Sequence, residues 1–180
     1  QPIIVLTVVG SSIPDFFKEI INQGIGATDI PVLGLDVLEA DLEGLDTAPM
    51  VGHLNCWAYL QNAEAPANDA FKDNWKSFVE KGNLPYSPDT VIDPMVSAYD
   101  GVHLWAKAVE KAGMADPDAV RAASAGLSFD CPSGYSIKMT DENNYVSRGV
   151  FIGSVNDQQA FDILWQSEDT PKPVPFSPYA

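Results

Sequence analysis

Three groups of side chains in this sequence could act on or hold a small molecule. Gly10-Ser11-Ser12 closes an apolar run and opens a helix, the setting of a nucleophilic serine on a strand-to-helix turn. A Gly-x-Ser-x-Gly elbow needs a second glycine, but Ile13 and Pro14 follow Ser12 and break the pattern. The same placement suits a ligand-contact loop, because open α/β sheets bind at the carboxyl ends of their strands. Asp36, Glu39, Asp41 and Glu43 cluster after a second apolar run and could serve as an acid–base pair or a cation site. A solvated helix start accounts for them equally well, since acids there offset the helix dipole. His53 in an apolar run and His103 on a polar helix face have no motif around them and read as structural. Cys56 and Cys131 form no Cys-x-x-Cys or Cys/His cluster, and there is no Gly-rich phosphate loop. No cofactor, metal or catalytic activity is expected.

The elements that must position these residues follow from periodicity. Pro2 to Gly10 is a continuous β-branched run suited to a parallel strand buried on both faces. A helix starting near Pro14 carries Phe16, Phe17, Ile20 and Ile21 and stops at Gly24. Ile30 to Gly34 is a second strand, followed by a brief helix to Glu43, so the order is that of a βαβ unit with a right-handed crossover. A third strand is expected over 51–59 and a helix over 68–80, with Phe71, Trp75 and Phe78 on one side as core. The stretch 84–92, with Pro85 and Pro88, is a linker. Asp93 then caps a helix with Pro94 at its first position. In that helix Met95, Ala98, Tyr99, Val102, Ala106 and Val109 form the face to be buried, with Trp105 also read as core. Asp100, His103, Lys107, Glu110 and Lys111 fall on the other side. A short helix over 116–125 and strands over 135–139, 150–155 and 161–165 complete the pattern, with a Pro-rich extended tail. Periodicity thus supports an α/β fold of doubly wound topology, with helices on a parallel sheet.

Composition narrows the function further. The 180 residues are 46% hydrophobic and 10% aromatic, which places the chain among globular proteins. A formal charge of −15, from 25 acids against 10 Lys and Arg, argues against nucleic acid and anionic membrane surfaces as partners. The apolar run from Ile3 to Val9 is far too short for a membrane span and lacks a signal peptide's basic start. The chain is therefore expected to begin inside a fold, on a strand.

Several phrases, taken in order, resemble one family. Gly10-Ser11-Ser12 with Phe16-Phe17-Lys18-Glu19 is similar to a Gly-Asp-Ser loop and its helix. Val37 to Gly44 resembles an acidic Val-x-Glu-Glu-Glu-Leu-x-Gly segment. Val51-Gly52-His53-Leu54 with Trp57 and Tyr59, then Asn68 to Phe71, resembles Gly-His-Leu-x-x-Trp-x-Tyr and Asn-x-x-Phe. Trp105 to Gly113, Asp116 to Arg121, and Cys131-Pro132-Ser133-Gly134 continue the match. Together they resemble the C-terminal half of the urea and short-chain amide binding proteins of ABC importers.

That resemblance implies the type I periplasmic-binding-protein fold: two Rossmann-like lobes with parallel sheets, the N-terminal part of the first lobe being absent from this chain. Residues 1–90 would belong to the second lobe, 91–147 to the first, 148–166 to the return and 167–180 to the tail. It places Cys56 and Cys131 on different lobes, which argues against a disulfide. The implied role is extracytoplasmic or periplasmic: urea or a short amide held in the interlobe cleft without chemistry, and delivery to a membrane permease. Implied contacts are Ser11, Ser12 and Asp36 at strand ends, Tyr59 near the hinge, and Asp93 and Tyr99 from the facing lobe. Bland roles compete with these: turn residues for the serines, helix caps for the two aspartates, core aromatics for the tyrosines. A ligand of about four heavy atoms at roughly −1.5 kcal/mol each binds with about −6 kcal/mol, or tens of micromolar. Asp-Pro-Met-Glu becomes Asp93-Pro94-Met95-Val96, Gly-Asp-Ser becomes Gly10-Ser11-Ser12, and Asn-His-His becomes Asn143-Asn144-Tyr145. The first two departures remove carboxylates near the expected cleft and leave other small polar solutes open. A cytoplasmic amide-sensing regulator of the same fold is the alternative, and a serine hydrolase a distant third.

Overall fold

A computed structural model describes residues 2–174. Its larger sheet has five strands in the order β1 (Ile4–Leu6), β2 (Val32–Gly34), β3 (Leu54–Trp57), β7 (Phe151–Val155) and β8 (Phe161–Gln166). The first three strands are parallel, with Leu6 opposite Gly34 and Gly34 opposite Asn55. β7 runs antiparallel to β3, and β8 to β7. A smaller antiparallel sheet holds β4 (Ser128–Asp130), β5 (Ser136–Met139) and β6 (Val146–Ser147). Short hairpin connections dictate the antiparallel pairing there, whereas a helical crossover permits parallel pairing.

Helix α1 (Ser12–Asn22) connects β1 to β2. Ile13 and Phe17 on its inner face join Val32, Val37, Leu42, Leu60, Phe151 and Phe161 in the main core. Gly24 and Ile25 end it by donating to the carbonyls of Ile21 and Ile20, with Gly24 at a φ of +69°. This is the left-handed turn that glycine enters without steric cost. The short helix α2 (Glu39–Leu42) follows β2, and α3 (Pro66–Gly82) follows β3. At Gly34 the Val37 side chain packs so close that a Cβ would lie 2.5 Å from its methyl carbon.

Helices α4 (Asp93–Ala112) and α5 (Pro117–Ser124) pack together and carry the smaller sheet. Asp116 caps α5 by accepting from the Ala119 amide at 3.0 Å. Two stretches join the larger sheet to this second body: 83–92, leaving α3, and 148–150, between β6 and β7. The tail residues described, 167–174, lie along the smaller sheet: Ser147 Oγ reaches Thr170 Oγ1 at 3.3 Å and Lys172 pairs with Glu142 at 2.8 Å. Residues 175–180 of the expected Pro-rich tail fall outside the described residues.

Several expectations are corrected. β1 is an edge strand, with Val5 55% exposed, so the apolar run is not covered on both faces among the described residues. The buried stripe of α4 is Val96, Asp100, Leu104 and Ala108, while Val102 and Trp105 stand in solvent at 64% and 56% exposure. Asp100 thus lies inside, and the stripe expected to be buried lies largely outside. Phe78, too, is exposed instead of core. Strands β4 and β6 were too short and too polar to register as periodic runs. Cys56 and Cys131 carry free thiols. No helix among the described residues is long and apolar enough to cross a membrane.

Candidate functional site

The parallel strands β1, β2 and β3 deliver their following loops to one edge of the larger sheet. After β1 the chain turns at Gly10, with a φ of +65°, and passes Ser11 and Ser12 into α1. Both serines are exposed, and Ser11 makes no side-chain cap bond. After β2, the Leu35 amide donates to the Leu6 carbonyl at 3.1 Å, holding the two loops side by side. Asp36 follows, half-buried. The next residue is pinned: the Val37 carbonyl accepts from Asn55 Nδ2 at 2.6 Å and from Trp57 Nε1 at 2.7 Å. The rigid β3 thereby sets where Asp36 sits. Asp41 lies near enough to Asp36 for the like charge to matter. Burial first, then Asp36, raises the Asp41 carboxyl above its ordinary range against the pull of the Leu38 amide, which donates to it at 2.8 Å.

Behind this edge runs a buried polar seam that the sequence did not announce. Glu39 is 5% exposed and accepts from the Gln61 amide at 2.7 Å. Burial pushes its carboxyl up to about 7; backbone amides oppose the shift, and the charges of Asp93 and Asp41 add to it. Gln61 also holds the 83–92 link, accepting from the Val91 amide at 2.8 Å and donating to the Asp89 carbonyl at 3.1 Å. Tyr59 lies beside these acids, fully buried, its hydroxyl donating to Asn68 Oδ1 at 2.8 Å. Burial, and after it the nearby Glu39 charge, raises the phenol further above its ordinary range.

The seam continues into the second body. Asp93, the first residue of α4, is not its cap, because the cap position is Ile92 and no side-chain cap bond forms. Its carboxylate instead accepts from Ser97 Oγ at 3.0 Å and faces Arg148 Nη1 at 3.5 Å. Arg148 Nη1 also donates to Ser97 Oγ at 2.6 Å, and its Nη2 lies 3.7 Å from Asp100 Oδ2. Asp100 is pushed up to about 6 by burial, with Arg148 opposing, Asp93 adding, and the Cys131 thiol opposing. Cys131, itself raised by burial, touches Ser133 at 2.7 Å.

Of the residues singled out from sequence, Asp93 and Tyr59 stand in the seam, Asp36 beside it, and Ser11 and Ser12 on the exposed strand tips. Tyr99 lies elsewhere, in an aromatic row that joins α3, α4 and β4. Its ring is 5.1 Å from Phe71 and 4.4 Å from His103, which stacks on Phe129 at 4.8 Å. His103 is thereby a packed residue, not a solvated one. His53 is buried as expected, Nδ1 accepting from the Val32 amide at 3.1 Å, and burial lowers its pKa. Gln61, Asp100 and Arg148 escaped the sequence reading, and Glu39 entered it only as one acid of the 36–43 cluster. Asp100 had one usable signal, its place four residues from both Val96 and Leu104 on the inward stripe. An apolar groove of about 410 Å³, lined by Leu104, Trp105, Val120 and Met139, opens between α4, α5 and the smaller sheet, away from the strand tips.

A sheet with three parallel strands and polar loops at their carboxyl edge, linked twice to a second α/β body, is an arrangement of two-lobed binding folds. The chain matches the periplasmic binding protein domain family over residues 1–180 and belongs to it. A solute-binding protein of an ABC transporter from Rhodopseudomonas palustris HaA2, solved with p-hydroxybenzoic acid, is similar with a TM-score of 0.78 and 25% identity. The match covers 95% of this chain and 46% of that one. An amino acid ABC transporter substrate-binding protein from Pseudomonas fluorescens Pf-5 shares the fold, with a TM-score of 0.71 and 16% identity over 95% of this chain and 45% of the other. A limonene hydroxylase of Geobacillus stearothermophilus is 31% identical over 128 residues, 71% of this chain and 21% of that protein. The chain therefore spans less than half the length of these solved structures and about a fifth of the hydroxylase. The fold is that of type I periplasmic binding proteins.

Proposed function

We propose that this chain is part of the solute-binding component of an ABC importer, acting outside the cytoplasm and handing its solute to a membrane permease. The observation that carries the reading is the set of polar loops, Ser11, Ser12 and Asp36, at the carboxyl edge of the parallel strands. They sit where open α/β sheets hold ligands, and family membership supports the same role. Residues 1–90 and 148–166 form one lobe on this reading, 91–147 contribute to the other, and 83–92 and 148–150 are the hinges. The work is binding alone: lobe closure over the solute changes the surface offered to the permease.

We assign the solute to neutral small amides, urea included. Among the described residues, the acids at and behind the strand tips are Asp36, Glu39, Asp41, Asp93 and Asp100, with Arg148 as the cation they face, and the chain's formal charge is −15. A carboxylate ligand such as that of the Rhodopseudomonas relative would meet like charge, whereas amide N–H groups find acceptors and the carbonyl finds the serine hydroxyls. Ser11, Ser12 and Asp36 are the contacts we assign; Asp93 and Tyr59 serve behind them, and Tyr99 belongs to the aromatic row with Phe71 and His103. Calorimetry on the complete protein with urea, acetamide, formamide and 4-hydroxybenzoate tests this. Amide binding in the tens of micromolar is the expected result. Heat only with the aromatic acid overturns the solute class, and no heat with any of the four counts against the strand-tip site.

A further inference from the structure

We propose that Arg148, Asp93, Ser97 and Asp100 form a proton-gated latch on the hinge, holding the two bodies in a fixed relation when Asp100 carries a proton and loosening when it ionises. The inference rests on the reading of 83–92 and 148–150 as hinges, but not on the identity of the solute. Its basis is geometric. Asp93 is the first residue after one link, and Arg148 lies within the other. Their side chains meet at 3.5 Å, Ser97 bridges them at 3.0 and 2.6 Å, and Asp100 closes the group at 3.7 Å. Both chain crossings between the bodies are therefore tied by one guanidinium.

The group is unbalanced: two carboxylates, each at least nine-tenths buried, share one cation. Asp93 Oδ2 and Arg148 Nη2 have no hydrogen-bond partner, and Asp100 has beside it only the Cys131 thiol and the guanidinium at 3.7 Å. Ionising both acids leaves an uncompensated negative charge away from water. Further groups face this site from the elements packed around it. Glu39 of α2 and Tyr59 after β3 lie beside Asp93, and Cys131 after β4 lies beside Asp100. Glu39 adds a third acid to the same seam, and none of these neighbours brings a second cation.

Burial holds the Asp100 proton to about pH 6, above the ordinary aspartate value of 3.8. A loosened hinge admits water and lets Asp100 return toward that ordinary value. The latched arrangement therefore binds the proton more tightly, is fully favoured at low pH, and loses that advantage as pH rises through about 6. The physiological range lies on the shoulder of this titration.

Hydrogen–deuterium exchange on the chain without ligand, between pH 5 and 8 and corrected for intrinsic exchange, tests the latch. Protection in 84–92 and 148–150 is expected to fall about tenfold across this range, relative to α1 amides as an internal reference. Asp100→Asn is expected to keep the links protected at pH 8 and abolish their pH dependence. Glu39→Gln should leave the dependence in place, which separates Asp100 from its neighbour. Protection that does not change with pH overturns the proposal. So does an Asp100→Asn protein that titrates as wild type, or a loss shared equally by α1, which would mean global unfolding. Because no solute is added, a failed amide titration in the calorimetry leaves this test untouched.

Discussion

The strand tips and the interlobe seam are both polar, yet they are built in opposite ways. At the tips, Ser11 and Ser12 stand in solvent and Asp36 is half-buried. In the seam, Glu39, Asp93 and Asp100 are each at most 5% exposed, and Tyr59, Asn68 and Gln61 are held by hydrogen bonds to one another or to the links. Exposed groups can be offered to a ligand at little cost to the fold, whereas buried charges tax stability and persist only where partners hold them. On the proposed reading, recognition belongs to the tips and control of the hinge to the seam.

Removing the seam's one cation should break the comparison most severely. Arg148→Ala leaves Asp93 and Asp100 facing each other without a counter-charge, and loss of one partner from a buried group costs about 3–5 kcal/mol. Protonation of Asp100 relieves part of this, so thermal denaturation should show a larger loss at pH 8 than at pH 5. An equal loss at both values would separate Arg148 from Asp100.

Glu39→Gln should act in the opposite direction, with a somewhat smaller effect. Glu39 binds its proton more tightly in the folded chain, at about 7 against an ordinary value of 4.5. Its contribution is thus fully present below about pH 4.5 and is lost as pH rises through about 7. The full shift corresponds to about 3 kcal/mol. Glutamine can still accept from the Gln61 amide and carries no charge to desolvate, so the variant should gain stability over wild type above pH 7 and match it near pH 4.5. Denaturation midpoints across that range check the slope, and an unchanged slope would place Glu39 in contact with water.

Tyr59→Phe ranks below these. The ring stays in its pocket, but Asn68 Oδ1 loses the donor that satisfies it, a cost of about 1–2 kcal/mol. Thermal unfolding should register that loss, and solute affinity should stay within about twofold if Tyr59 works behind the site, not in it.

The sequence made one of these two regions far more legible than the other. β-branched runs ending in Gly10 and Gly34 marked the strands, strand ends offered Gly10-Ser11-Ser12 as a ligand loop, and the family resemblance proposed Ser11, Ser12 and Asp36 as contacts. The seam depends on contacts between residues 39, 61, 93, 100 and 148, which periodicity does not see. Glu39 was readable only as one acid among four at a helix start, because nothing local reveals that Gln61 and α4 cover it. The helix α4 misled for a related reason. It is apolar on two faces, and the pattern cannot say which of them meets a partner, so Trp105 and Val102 were assigned inward and Asp100 outward. Asp93 satisfied every cap rule except that Arg148, 55 residues away, competes for its carboxylate.

The smallest effects on folding belong to the tips, and that is what makes them diagnostic. Ser11→Ala, Ser12→Ala and Asp36→Asn remove polar atoms that are exposed or half-buried, so each should move stability by less than about 0.5 kcal/mol. The Val37 carbonyl, held by Asn55 and Trp57, keeps the loop in place whatever stands at position 36. Affinity should respond where stability does not. Each lost hydrogen bond to an amide ligand is worth about 0.5–1.5 kcal/mol, a two- to twelvefold weakening by calorimetry. Asp36→Asn should also reverse part of the discrimination, weakening amides while easing the approach of 4-hydroxybenzoate, since it removes a negative charge from the mouth of the site. If all three variants bind every solute as wild type does, recognition lies away from this edge, and the exposed serines are only the turn that β1 needs to enter α1.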